Sequence, residues 1–211
     1  MTLVKLQYGN PRLQDVEIVR NSILLRDLIL AGHMSSLLSI PYPSDVSTID
    51  EVVSLINLQV DSNRLEKIKR YETHLYDEMA LFLNSYGVEA DGATIKQQLS
   101  VYDGIENYLK MKYNRPRPHQ FAGAFSLPLY PRIRSDHGTA SYPSGHTLTS
   151  MWFRHIYMKS HPELADDLMD FVLDVKLSRE QGGVHYPSDG VYSLIVYHKL
   201  KHVVDSMAGK G

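Results

Sequence analysis

Apolar residues recur three or four positions apart along most of the chain, which places them on one face of an α-helix. The segments that show this pattern are 16–23, 49–60, 65–82, 101–109, 148–156, 164–175 and 192–203. No segment shows the strict alternation of apolar and polar residues that is typical of a half-buried strand. The sequence therefore predicts an all-α fold, a helical bundle.

The segment 49–60 also carries a start signal. Thr48 precedes its first apolar residue, and Glu51 follows three positions later, which is the spacing of a capping box at a helix N-terminus. We therefore expect this helix to begin near Thr48.

The chain from Tyr113 to Pro143 interrupts the helical pattern. This segment contains two glycines and the prolines at 116, 118, 128, 131 and 143, and proline disrupts regular helix. Long structureless segments inside a compact domain are uncommon and are often functional. We expect a long Pro-rich loop over about 113–143 that closes over the functional site, with Asp136 and His137 in an exposed turn.

Length and composition limit the classes of protein that fit. A chain of 211 residues suits one domain over 1–211, and a formal net charge of −2 gives no general attraction to nucleic acid. The absence of cysteine excludes disulfides, thiolate metal sites and cysteine nucleophiles. No stretch approaches the roughly 20 apolar residues of a membrane span, and the N-terminus lacks the apolar core of a secretory signal. We expect no membrane span, no nucleic acid partner and a cytoplasmic location.

The first cluster of candidate site residues is "KMKYNRPRP", which places Lys110 near a helix end and Arg117 in the loop. Taken alone, it is typical of a solvated basic helix end, where lysine complements the helix dipole. A nucleic-acid interpretation is weak because the overall charge is acidic and few aromatic residues are interleaved. That interpretation would also use Lys112, Arg115, Arg132 and Arg134.

The second cluster is "PSGH", at the start of the predicted helix of segment 148–156. A helix that begins near Ser144 directs the Gly145 amide out of its N-terminus, where unpaired donors and the dipole favour an anion. Ser144 adds a hydroxyl donor, and His146 adds a titratable proton in the first turn. An N-cap serine beside an incidental histidine explains these four residues equally well.

The third cluster is "SREQGGVHYPSD". Arg179 falls on the apolar face of segment 164–175, and Asp189 begins the apolar face of segment 192–203, so both charges are directed inward. Buried charges are costly unless they are paired, which indicates either a shared polar site or an internal Arg179–Asp189 ion pair. His185 favours the site, because a carboxylate that holds one imidazole nitrogen makes the other nitrogen a better nucleophile.

Together the clusters supply three cations, an anion-binding helix N-terminus and two histidines, one of them with a carboxylate partner. These groups are sufficient for phosphoryl transfer by positioning and charge neutralisation without a metal ion.

The spacing of these residues resembles a known family signature. The spacing is similar to the three-part signature of the type 2 phosphatidic acid phosphatase superfamily. The first part is Lys110, six further residues and then Arg117-Pro118, and the second part is "PSGH". The third part is Ser178-Arg179, five residues, His185, three residues and Asp189. This superfamily includes class A non-specific acid phosphatases and vanadium-dependent haloperoxidases. "SYPSGHT" is most similar to the class A acid phosphatases. The other Arg-Pro pair, at 115 and 116, does not fit, because Tyr108 stands where its lysine would be.

The resemblance implies a metal-independent phosphomonoesterase that needs no cofactor, with its motif-bearing part in residues 101–204 and its active site at helix ends. By resemblance, His185 attacks phosphorus and becomes phosphohistidine, Asp189 orients it, and His146 protonates the leaving oxygen and then activates water. The phosphate oxygens are held by Lys110, Arg117, Arg179, Ser144 and the amide of Gly145. The implied substrate is a small soluble phosphate monoester, with phosphotransfer to alcohols as a side activity and self-association into a homo-oligomer.

Two alternatives remain at this point. A vanadium-dependent haloperoxidase would hold vanadate in the same pocket, but haloperoxidases of this superfamily are much longer chains. A non-catalytic phosphate-binding module would not need His146, His185 and Asp189 together.

Overall fold

The computed structural model describes residues 7–133 and 138–208, and these residues form an all-α, single-domain fold without strands. The all-α prediction is confirmed. The α-helices are α1 (Leu13–Asn21), α2 (Ile23–Leu30), α3 (His33–Leu38), α4 (Asp45–Asn57), α5 (Ser62–Thr73), α6 (Leu75–Ser85), α7 (Gly92–Leu99), α8 (Asp103–Tyr113), α9 (Pro118–Ala124), α10 (Gly145–Ser160), α11 (Ala165–Gln181) and α12 (Pro187–Ala208). Single 3₁₀ turns at Ser100–Tyr102 and Pro162–Leu164 precede α8 and α11.

Helix α4 starts earlier than its sequence signal predicts. It begins at Asp45, and the Ser44 hydroxyl caps it by accepting from the Ser47 amide at 3.2 Å. Thr48 instead donates its hydroxyl to the Ser44 carbonyl at 2.9 Å, within the first turn. The capping box of Thr48 and Glu51 is therefore wrong, because the Glu51 carboxylate is engaged with the distant Arg115.

Between α8 and α10, the described residues are irregular except for one short helix. Helix α9 begins at Pro118, a position where proline is well tolerated because its missing N–H would have no intrahelical partner. The Arg117 amide just before it donates to the Gln120 side chain at 2.8 Å. The long loop is thus interrupted by α9, while Asp136 and His137 lie outside the described residues.

The largest apolar core surrounds α10, which packs against both α11 and α12. Trp152 of α10 is fully buried, and its ring stacks on Tyr102 with 4.2 Å between centroids. Apolar side chains of α11 and α12 complete this core, including Val172 and Val196. Because α10 is enclosed by its neighbours, its N-terminus is held in a fixed position.

A second apolar cluster joins α4 to α9. It contains Val52 and Leu55 of α4, Phe121 of α9, and Tyr186 just before α12, all of them buried. This packing brings α4 against the start of α12. It therefore directs Glu51 of α4 toward the chain segment that carries His185 and Asp189.

None of the helices within residues 7–133 and 138–208 has the length and the apolar character that crossing a lipid bilayer requires.

Two helical glycines differ in the space around them, and this gives a test of the packing. A Cβ at Gly104 in α8 would overlap the side chain of Ser22, the residue whose hydroxyl caps α2. We expect Gly104→Ala to lower the free energy of unfolding by about 1–3 kcal/mol through overpacking. Gly123→Ala in α9 meets no atom within 4 Å and is the control, with an expected gain of up to about 1 kcal/mol from helix propensity. Urea denaturation measures both, and equal effects would contradict the packing of α8 on α2.

Candidate active site

The clusters identified in the sequence come together around one cleft of about 360 Å³. Five of the residues predicted for the site line it: Lys110, Arg117, Gly145, His146 and His185. Each of the other three is fully buried and adjoins a residue of the cleft. Ser144 precedes Gly145, Arg179 bonds to the cleft residue Glu72, and Asp189 bonds to His185.

His185 is held between a carboxylate and a guanidinium. Its Nδ1 lies 2.9 Å from Oδ2 of Asp189, and its Nε2 lies 2.8 Å from Nη1 of Arg117. Arginine can only donate, so Nε2 must accept and carries a lone pair. The proton of the neutral ring is then on Nδ1, where the ionised carboxylate of Asp189 accepts it. This tautomer makes Nε2 the nucleophilic nitrogen.

Three cations are buried at the site. Lys110, Arg117 and Arg179 are 4%, 5% and 1% exposed. Burial lowers the pKa of each, and Arg117 adds a second lowering at both Lys110 and Arg179 through like-charge repulsion. The pKa of Lys110 falls to about 8. Positive charges that are buried near one another are costly, because burial removes their hydration and they repel each other. The cluster therefore favours a bound anion.

Lys110 is fixed by the loop segment that leads into α10. It lies in the last turn of α8, and its Nζ donates to the Ala140 carbonyl at 2.8 Å. The Thr139 hydroxyl lies 3.4 Å from the same nitrogen, and it also accepts from Arg117 at 3.3 Å. The loop residues 139 and 140 therefore hold the two cations of the first motif side by side.

Arg179 has unused donors. Its Nη2 donates to the Glu72 carboxylate in a nearly buried ion pair. Within the described residues, its Nε and Nη1 are buried and have no hydrogen-bond partner. Unsatisfied buried donors are costly, and two N–H groups on one guanidinium are suited to the oxygens of a bound oxyanion.

Helix α10 begins at Gly145, so its N-terminus opens on the cleft as the sequence predicts. A Cβ at Gly145 would overlap the Glu106 carboxylate, so any larger residue there would displace the end of the Glu106 side chain. Ser144 is the N-cap residue, but its hydroxyl bonds to Thr147 at 2.9 Å and makes no capping bond. His146 is half-buried in the first turn and lines the cleft beside Gly145.

Sequence reasoning missed the acidic side chains of the cleft. Glu72, Asp103, Glu106 and Asp15 all line it. Glu106 lies one turn before Lys110 on α8, 3.6 Å from its Nζ, and this i,i+4 spacing was a readable signal. Burial, with a further contribution from Glu106, raises the pKa of Asp103 to about 7. Glu72 comes from a distant helix, and nothing near it in the sequence points to Arg179.

Two further residues that contact Asp189 were also missed. Arg115 donates to Oδ1 of Asp189 at 2.6 Å, and the Ser141 hydroxyl donates to Oδ2. Asp189 thus pairs with Arg115, and Arg179 pairs with Glu72. These two pairs take the place of the internal Arg179–Asp189 pair that the sequence left open. The motif spacing gives Arg115 no role, because Tyr108 stands where the lysine of an Arg115-Pro116 motif would be.

Comparison with protein-family models gives no match to this chain, and a search of curated proteins gives none either. The chemistry of the site therefore has to be argued from its geometry. That geometry combines an oriented imidazole, a helix N-terminus and buried cations around one cleft, which suits a tetrahedral oxyanion such as phosphate.

Glu106 gives a test of anion binding. Its carboxylate lies beside Lys110 and Gly145, where it repels an incoming anion. Repulsion between two unit charges about 4 Å apart costs about 1–4 kcal/mol in polar surroundings. We expect Glu106→Gln to tighten binding of inorganic phosphate about tenfold, which corresponds to 1.4 kcal/mol. Titration calorimetry measures this, with the exposed Glu66→Gln as the control. Weaker binding in Glu106→Gln would mean that this carboxyl helps to hold the anion.

Lys110 gives a test of pH dependence. Because burial lowers its pKa to about 8, the free protein loses this ammonium charge as the pH rises through that value. Affinity for sulfate, whose own charge is constant over this range, should therefore fall on the alkaline side. Arginine stays protonated through this pH range, so a Lys110→Arg variant that binds sulfate should lose most of this decline in affinity. A sulfate affinity that does not change through pH 8 would contradict this role for Lys110.

Proposed function

We propose that this protein is a metal-independent phosphomonoesterase of the class A acid phosphatase type, and that it acts through a phosphohistidine at His185. One observation carries this proposal: His185 presents an unprotonated Nε2 to the cation-lined cleft while Asp189 holds Nδ1. A binding module has no use for an oriented nucleophile, whereas an enzyme that transfers phosphoryl groups through a covalent intermediate requires one.

The reaction proceeds in two displacements. In the first, the Nε2 lone pair of His185 attacks phosphorus, a P–N bond forms, and the ester P–O bond breaks. His146 gives a proton to the leaving oxygen. In the second, His146 takes a proton from water, the water oxygen attacks phosphorus, and the P–N bond breaks. Phosphate leaves, and His185 is regenerated with its proton on Nδ1.

The cations stabilise the charge on the transferring group. Lys110, Arg117 and Arg179 hold its equatorial oxygens, together with the Gly145 amide and, after rotation, the Ser144 hydroxyl. Arg117 occupies Nε2 of His185 in the described structure, so it moves from the nitrogen to a phosphate oxygen when substrate binds. Such charge stabilisation is commonly the largest contribution to the rate of phosphoryl transfer.

The substrates are small phosphate monoesters, because the cleft has room for a modest leaving group beyond the phosphate. An acceptor alcohol that takes the place of water in the second displacement gives phosphotransfer. Both activities use the same phosphohistidine.

The first test is release of inorganic phosphate in the presence of EDTA. The panel comprises nucleoside monophosphates, sugar phosphates, an aryl phosphate and a short-chain phosphatidic acid. We expect release that survives EDTA and is abolished in His185→Ala, because the nucleophile itself is removed. The relative rates across the panel identify the leaving group.

The structure offers a matched control, a second buried histidine with a carboxylate partner. His155 lies 2.9 Å from Asp205 in the region between α10 and α12, and it does not line the cleft. His155→Gln should keep phosphate release within a few-fold when circular dichroism shows an intact fold. No release from any ester, or undiminished release in a folded His185→Ala, would overturn the proposal.

Trapping the intermediate separates the roles of the two histidines. An aryl phosphate has a good leaving group and needs little protonation, so His146→Ala should still be phosphorylated by it. Dephosphorylation then lacks its general base and should slow by about 10²–10⁴-fold, so the phosphoprotein accumulates. The label should be acid-labile and base-stable, as expected for a P–N bond.

A further inference from the structure

Arg115 is a fully buried cation that lies outside the phosphate-binding set and does not line the cleft. We propose that Arg115 is a positioning residue that holds Asp189 as an oriented carboxylate, so that His185 stays neutral with its proton on Nδ1. The catalytic meaning of this inference rests on the proposed function, but its physical content is the protonation state of the His185–Asp189 dyad and can be measured separately.

The two oxygens of Asp189 have separate partners. Oδ1 accepts from Nη1 of Arg115 at 2.6 Å. Oδ2 accepts from the Tyr186 amide at 3.0 Å and from the Ser141 hydroxyl, and it lies 2.9 Å from Nδ1 of His185. With Oδ1 anchored by the guanidinium, the carboxylate cannot rotate, and Oδ2 remains directed at His185.

Arg115 is itself fixed from three sides. Its Nη1 also donates to the Ser188 hydroxyl at 2.7 Å, and its Nη2 donates to Glu51 at 2.8 Å and to Thr48 at 3.2 Å. The centroid of the Tyr186 ring lies 3.7 Å from Cζ of the guanidinium. The planar guanidinium group of arginine can bridge two carboxylates through its separate nitrogens. The single ammonium group of lysine could not reproduce this geometry.

The charges around Asp189 show why a counter-ion is needed. Complete burial raises the pKa of the Asp189 carboxyl, and Arg115 is the largest influence that opposes this rise, followed by Ser141. Cationic Arg117 and Lys110 also interact with this carboxylate, and so does the acidic Glu180. Glu51 acts on the opposite side of Arg115. Tyr42, Tyr142 and Tyr186 face it as neutral groups, since burial raises their pKa values.

The sign of the effect follows from Coulomb's law. A positive charge beside the dyad makes it harder to add a proton to either Asp189 or His185. Loss of Arg115 therefore moves the protonation of the dyad to higher pH, whichever of the two residues takes the proton. A protonated dyad has no lone pair on Nε2 or no acceptor for the Nδ1 proton, so the nucleophile is lost when the dyad takes up a proton.

The test follows the ring nitrogens of His185 by NMR as the pH is varied. In Arg115→Gln we expect the protonation transition of the dyad to rise by about 1–3 pH units, the usual effect of losing one adjacent opposite charge. Glu51→Gln is the matched control, because Glu51 bonds to Arg115 and not to Asp189. It should weaken the network and leave the transition within about half a unit, well under a single adjacent-charge effect.

Removing Arg115 alone leaves the half-buried Glu51 and the fully buried Asp189 without their shared cation, and this can unfold the protein. The double variant Glu51→Gln/Arg115→Gln removes the charge of Glu51 and should fold better while showing the same upward shift. The unsubstituted protein adds a measurement that needs no variant, because the carboxyl ¹³C signal of Asp189 should report a carboxylate throughout the titration of His185. A protonated Asp189 at neutral pH would overturn the proposal.

The outcomes separate this inference from the proposed function. An upward shift with no phosphatase activity supports the role of Arg115 and refutes the phosphatase. Phosphate release together with an unchanged transition in Arg115→Gln, or an equal shift in Glu51→Gln, refutes the role of Arg115 and leaves the phosphatase standing. If both hold, the acidic limb of the kcat/KM profile should move upward by the same interval as the NMR transition.

Discussion

The structure around the cleft depends on one buried carboxylate, Asp189. Its side chain is fully buried, and an uncompensated charge there would be strongly destabilising. Arg115, Ser141 and the Tyr186 amide meet that charge from different segments, and the Asp189 carbonyl accepts from the Ser144 amide at the start of α10. The same residue thus fixes the orientation of His185 and the placement of the helix N-terminus that borders the cleft.

Much of the fold could be predicted from periodicity. Every segment with an apolar stripe is mostly helical, and Arg179 is buried as its position on the apolar face of α11 indicates. Boundaries were less predictable, because local caps decide them. The stripe over 65–82 is divided into α5 and α6 at His74, where the backbone leaves the helical region. No apolar pattern encodes such a break.

The site was predictable only as far as its motif. Spacing brought Lys110, Gly145 and His185 to one cleft, but it could not supply their partners. Glu72 and Glu51 lie far from the motif in sequence, and their pairing with Arg179 and Arg115 depends on how α4 and α5 pack. Long-range ion pairs of this kind have no periodicity or spacing that a single sequence reveals.

These ion pairs give the first hundred residues a definite place in the site. Glu51 and Glu72 belong to α4 and α5, yet they provide counter-charges for guanidinium groups carried by the second half of the chain. A fragment limited to 101–204 would keep both arginines and lose both glutamates, so Arg179 would be left without its ion-pair partner and Arg115 would keep only Asp189. The sequences of the two halves are therefore expected to change together in evolution. A change of charge at position 51 or 72 is tolerable when the arginine that it faces changes as well.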